Sequence, residues 1–207
     1  MARPSNTEER RAQITSALLK VMARRGYDGA TIAEVGKVAR LAPGVVHYHF
    51  KNKHEILLAV LQELAERHLG GLEQRLAAAG DEGAQAELDA FIDYHLGLGA
   101  DQDSERLACW ILLSGEALRD AKVRTQLEKV LATIAERLQR VLRGGVQQGV
   151  FACERVDVAA SGLLALVQGY FVLAATARSL VPRGSAALAA RQMAEGLLCG
   201  PQKRGRR

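Results

Sequence analysis

Residues 47–54, HYHFKNKH, gather three histidines, a tyrosine and two lysines into eight positions. Imidazoles invite a metal-site reading first. Residues two apart on a helix point about 200° apart, so His47 and His49 cannot share an ion. No Cys, Asp or Glu completes a set with His54 at zinc spacing. Nucleophilic and phosphate-cradling chemistry fares no better, because GxSxG, HExxH, P-loop and GxGxxG patterns are absent. No catalytic residue, metal ligand or cofactor is therefore expected, and the chain does not read as an enzyme. What remains is donors and positive charge. Imidazole, phenol and ammonium groups on a short helix are suited to phosphate oxygens and base edges.

Such groups need elements to aim them, and the preceding residues supply two. Thr31 can N-cap a helix that carries Ile32, Val35, Val38 and Ala39 on one face. A break follows at Arg40-Leu41, and Pro43-Gly44 opens a second short helix, Val45–Phe50. Pro43 presets φ where no hydrogen-bond donor is needed. Gly44 lets the backbone approach a surface closely, and Val45 offers a methyl contact for thymine. Val46 and Phe50 lie on the reverse face and should enter the core. Two helices so closely linked read as helix-turn-helix, the second entering the DNA major groove and the first crossing the backbone.

Three segments, in order, resemble the N-terminal domain of the Tet-repressor (TetR) family of bacterial transcriptional regulators. They are Arg11–Ile14 in the first helix, Gly26–Thr31 before the second, and Gly44–Lys53 over the recognition helix. The resemblance is strong over about residues 8–62. Beyond that it rests on helix order, length and a few residues such as Trp110 and Glu116-Ala117. It implies that Tyr48, His49 and Lys53 contact phosphate or base edges and that Thr31 caps its helix against a phosphate. His47 stands where the family more often has tyrosine and can donate to phosphate in its place. Ala42, Pro43, Gly44 and Val45 complete the DNA-facing set. Two positions depart from the family pattern. Arg40 replaces the usual turn glycine and Gly36 the usual alanine. A left-handed residue other than glycine costs on the order of 1 kcal/mol, so a turn of different shape is expected, with Arg40 as a phosphate contact.

Composition agrees with an all-α protein. Hydrophobic residues make up 48% of 207, aromatics only 4%, and prolines number four. Charge is uneven. Residues 1–54 hold ten Lys/Arg against four Asp/Glu, and Lys203–Arg207 adds four more cations, leaving an acidic middle. Basic ends suit a polyanion reached through one end of the molecule. Cys109, Cys153 and Cys199 are odd in number and far apart in sequence. They form no disulfide framework and no metal pair, so small apolar filler in a reducing cytoplasm is the simple reading. MARPSNTEERRA has no apolar signal core, and no secretory leader is expected.

About nine helices are expected. The first runs from Thr7 to Arg25, capped by Ser5 or Asn6. The fourth runs to Ala79 from an Asn52 cap, with a bend at Gly70-Gly71. Five more fall near 84–98, 103–119, 121–148, 156–180 and 185–199. Leu180–Ser185 spells LVPRGS, identical to an engineered thrombin site. Because Ser185 can cap the next helix, it reads as native. Val158–Ala177 runs twenty residues without a charge, long enough for a bilayer. Its alanines, glycines and Gln168 suit a helix buried in a core or a helix–helix interface instead, with Leu188 and Met193–Leu198 adding apolar surface for pairing, so no membrane partner is expected.

The domain plan is a helix-turn-helix domain over 1–54, an effector-binding and dimerisation domain over 55–200, and a basic, disordered tail over 201–207. Phe91, Tyr94, His95, Cys109, Trp110, Leu113, Gln168 and Phe171 are the candidate walls of a cavity for an uncharged or amphipathic effector. The resemblance implies a cytoplasmic homodimer on a palindromic double-stranded DNA operator, a repressor released by that effector. Two other classes stay open. One is an architectural DNA-binding protein of the same fold. The other is a small-molecule-binding protein or enzyme with a degenerate DNA motif.

Overall fold

In the computed structural model, residues 6–97 and 104–199 are described. They form nine α-helices, two 3₁₀ turns and no strand. In chain order the helices are α1 (Asn6–Arg25), α2 (Ile32–Ala39), α3 (Pro43–His49), α4 (Lys53–Ala79) and α5 (Ala84–Leu96). Then follow α6 (Ser104–Glu116), α7 (Ala121–Gln147), α8 (Val156–Thr176) and α9 (Ser185–Leu198). The all-α class and helix order are those expected. The Ser5 cap, the link near 99–102 and the basic tail over 201–207 lie outside the described residues.

The helix starts follow from local hydrogen bonding. Thr31 and Glu34 form a capping box, the Thr31 hydroxyl accepting from the Glu34 N–H and the Glu34 carboxylate from the Thr31 N–H. Asn52 Oδ1 accepts from the Glu55 N–H at 2.9 Å and starts α4. Asp120 Oδ1 accepts from Val123 and Lys122 N–H groups at the head of α7, which holds its carboxyl below the usual range. Ser185 does not cap α9. It is the first helical residue, and its hydroxyl donates to the Pro182 carbonyl at 2.7 Å. Nor does α8 reach residue 180. It stops at Thr176, and a 3₁₀ turn covers Arg178–Leu180.

The Gly70-Gly71 pair has a packing role. A Cβ at Gly71 would sit 2.5 Å from the Tyr94 hydroxyl, which donates to the His68 carbonyl at 2.8 Å. The glycine makes room for that approach.

By contact density the chain divides into two compact units, Met1–Arg67 with Asp103–Lys129, and His68–Gln102 with Val130–Arg207. These cuts do not coincide with the 54/55 boundary drawn from sequence, because α4 and α7 each contribute to both units. In the first, α1 packs on α2, α3 and α6. Ile14, Leu18, Met22, Val35, Val46, Phe50 and Ile56 are its nearly inaccessible core, each contributing about 1.5–3 kcal/mol of burial.

In the second unit, α5, α8 and α9 pack together. Buried alanines 159, 160, 186, 187, 190 and 194 allow the close approach. Within this chain only 28% of the apolar window of α8 is buried. Val158, Val172 and Leu173 on α8 and Leu188, Met193 and Leu197 on α9 remain exposed.

Candidate nucleic-acid interface

α3 is fixed from behind. Val46 is 0% and Phe50 2% exposed, so the short helix is held by two apolar anchors. Side chains of α1 close the carbonyl ends of both helices of the motif. Gln13 Nε2 donates to the Ala39 carbonyl at 2.6 Å, and an Arg11 guanidinium N–H donates to the His49 carbonyl at 2.9 Å. The Arg11 guanidinium also stacks 4.2 Å from the Phe50 ring centre. A cation at a helix C-terminus is favourable because unsatisfied carbonyls gather there. Sequence reading registers Arg11 and Gln13 only as members of one motif, without their partners. Their partners lie 38 and 26 residues away, beyond any local pattern.

The other face of α3 points outward. Ala42, Pro43, Gly44, Val45 and His47 are exposed, and Tyr48 is 83% exposed. His49 is half-buried with its ring edge-on to Tyr48. Apart from its chain neighbours and its own helix backbone, no atom lies within 4 Å of where a Gly44 Cβ would stand, so the bare backbone there is not demanded by tertiary packing.

The turn keeps its left-handed residue with arginine in it. Arg40 has φ 55° and ψ 40°, and its N–H reaches back to the Gly36 and Lys37 carbonyls. The strain is accepted in place, and the side chain is exposed. Gly36 bears on the same turn. A Cβ there would stand 3.0 Å from the Leu41 carbonyl oxygen, so the chain folds over α2 more tightly than alanine would comfortably allow.

Two expected DNA contacts already have partners. Thr31 is exposed, yet its hydroxyl serves the capping box. Lys53 is half-buried, donating to the Tyr27 carbonyl at 2.8 Å with its ammonium 4.2 Å from the Tyr27 ring centre. Burial, then the carboxylates of Glu116, Asp120 and Asp28, push the Tyr27 phenol up to about 12. His54 turns away to pair with Asp120 at 2.6 Å. Among the described residues, no three His, Cys, Asp or Glu side chains converge as a metal site.

The eight candidate effector residues are divided between the units. Cys109, Trp110 and Leu113 lie on α6 in the first, where the Cys109 thiol meets the Leu19 carbonyl at 3.6 Å. Phe91, Tyr94, His95, Gln168 and Phe171 lie in the second. There the His95 ring stands 4.3 Å from Phe91, 5.4 Å from Tyr94 and 6.4 Å from Phe171, centre to centre. Sequence reading misses His68, whose Nε2 lies 3.2 Å from His95 Nε2. Because His95 Nδ1 faces the Phe91 carbonyl at 2.8 Å, that nitrogen carries the proton and Nε2 accepts from His68. Burial first, and then the neighbouring positive charge of Arg137, lowers His68 to about 4. Burial, followed by His68, lowers His95 to about 3. Both rings are neutral at pH 7.

Residues 14–60 match the family model of bacterial regulatory proteins, tetR family, and residues 84–198 match that of the BetI-type transcriptional repressor, C-terminal. The second match alone covers more than half of the chain. The chain belongs to the TetR family. The HTH-type transcriptional regulator BetI of Rhizobium meliloti (strain 1021) is 26% identical over 164 residues, covering 79% of this chain and 76% of that protein. A TetR transcription regulator from Haloarcula marismortui ATCC 43049 superposes with a TM-score of 0.83 at 18% identity, over 92% of this chain and 99% of the other. A Saccharomonospora viridis protein in complex with choline gives 0.75 at 23%, over 91% and 95%. At those identities the two structures speak for the fold alone. As a TetR-family member, the molecule is a ligand-responsive, DNA-binding transcriptional regulator.

Proposed function

We propose that this TetR-family regulator is a cytoplasmic homodimeric repressor, bound through α3 to a palindromic operator and released by a small molecule held in its second unit. The observation that carries the reading is the division of α3 into two faces. Val46 and Phe50 are sealed into the core while Tyr48 stands 83% exposed, and Pro43, Gly44, Val45 and His47 share its outward side. Their exposure and their donors and small groups suit base edges and phosphates. Arg40 and Thr31 flank them as phosphate contacts. Lys53 joins them by sharing its ammonium between the Tyr27 carbonyl and a phosphate.

One short recognition helix reads few base pairs, so two copies related by a twofold axis read two half-sites. The exposed Val158, Leu173, Leu188, Met193 and Leu197 supply the apolar surface for that pairing. For the effector, Phe91, Tyr94 and Phe171 with two neutral imidazoles favour an uncharged or amphipathic compound. Choline, held by the Saccharomonospora relative, is the first to test, because aromatic faces also attract a quaternary ammonium. An effector that prefers the state unfit for DNA releases it by the ratio of its two affinities.

Tyr48→Ala tests the reading. The variant should keep its unfolding free energy within about 0.5 kcal/mol, as an exposed surface change does, and bind a selected operator at least about tenfold more weakly. Unchanged affinity in a fluorescence-anisotropy titration removes α3 from the interface.

A further inference from the structure

The three cysteines do not share one environment. Cys109 is buried, as a small apolar filler would be, whereas Cys153 is half-buried and Cys199 exposed. Cys153 lies in the link before α8 and Cys199 just beyond α9. They stand 46 positions apart in sequence, yet both line one cleft of about 710 Å³, open in the single chain and edged by Val158 and Leu197 of the proposed pairing surface. A backbone hydrogen bond joins the residues immediately before them, Ala152 N–H to the Leu198 carbonyl at 2.7 Å. Each cysteine is therefore one step past a fixed point of contact, and Cys199 has extended backbone.

We propose that Cys153 and Cys199 are a thiol modification site that closes into an intrachain disulfide on meeting a small uncharged disulfide. Glu154 and Glu195 also line the cleft, and Arg155 is engaged with Asp157, so an anionic reagent is disfavoured. The exposed Cys199 reacts first. Its thiolate attacks one sulfur of the reagent RSSR, forming a mixed disulfide and expelling RS⁻. The Cys153 thiolate then attacks the Cys199 sulfur and expels the second RS⁻. The two thiol protons end on the two RSH molecules, and the two protein thiols are oxidised as RSSR is reduced. The product ties the end of α9 to the approach to α8.

The test uses the full-length reduced protein and hydroxyethyl disulfide. Remaining thiols are alkylated, trypsin is added without reductant, and the peptides are weighed. The expected product is peptide 144–155 joined to peptide 192–203, two hydrogens lighter than their sum. It should arise in chains that still migrate as single polypeptides, and disappear on reduction. Cys153→Ser should stop at one mercaptoethanol adduct on Cys199. Recovery of the two wild-type peptides as separate adducts overturns the proposal. So does a Cys199–Cys199 link between two chains as the main product.

Discussion

Arg40 holds a left-handed backbone that an L-residue adopts at a penalty, and its side chain is exposed. Arg40→Gly should therefore stabilise the protein by about 1 kcal/mol, read as a higher urea midpoint at unchanged slope. If the guanidinium meets phosphate, the same variant loses about one unit from the slope of log affinity against log salt. A lower midpoint would mean that the side chain makes contacts worth more than the strain. At this scale the sequence is legible where the signal is local. Thr31 and Asn52 cap the helices they precede, and Val46 and Phe50 fall on the buried face because period and side-chain type agree. It is illegible where the partner is remote. Lys53 settling on Tyr27, 26 residues earlier, has no signature in spacing, and neither does the Arg11 clamp on His49.

Gly71 and Tyr94 show the same limit for an element. Two adjacent glycines in a helix suggest a bend, and they carry no signal of the requirement that another helix places on Gly71. Gly71→Ala forces its Cβ onto the Tyr94 hydroxyl, 2.5 Å away, and should destabilise by about 1–3 kcal/mol. In Tyr94→Phe the hydroxyl is gone and the penalty of the alanine should shrink. Additive losses in that double-mutant cycle would separate the two positions. The His68–His95 pair, also between α4 and α5, makes a pH prediction. Both folded values, about 4 and about 3, lie below the unfolded value near 6.5. The unfolded chain then binds more protons between those limits. Stability is complete above about pH 6.5 and falls as pH drops toward 4, by up to about 1.4 kcal/mol per unit for each histidine. Urea unfolding at pH 7 and pH 5 should show that loss, and His68→Gln should reduce it. An identical pH slope in the variant would mean that His68 is not buried as a neutral ring.

For the molecule as a whole, helix count and order are readable from sequence. Long helices give no sequence signal at the point where their neighbours change, so α4 and α7 pass from one unit to the next unmarked. The charge-free stretch of α8 reads as a helix of a core or a helix–helix interface, and the chain itself leaves Val158, Val172 and Leu173 open. Periodicity reports that a face avoids water and not which molecule covers it. In the proposed dimer a second copy covers it, and Leu188, 58% exposed on α9, is a direct probe of that pairing. Leu188→Glu should yield a folded monomer by light scattering, with helical circular dichroism retained. A variant that stays dimeric would place the interface elsewhere.

A symmetric pair of α3 helices reading DNA sequence is the centre of the proposed mechanism. Selection of binding sites from random double-stranded DNA by the purified protein, at moderate salt, tests it most directly. Enrichment of one inverted repeat is expected, with half-sites about one helical turn or a multiple apart. Retention of DNA without an enriched sequence, or no retention at all, would contradict it.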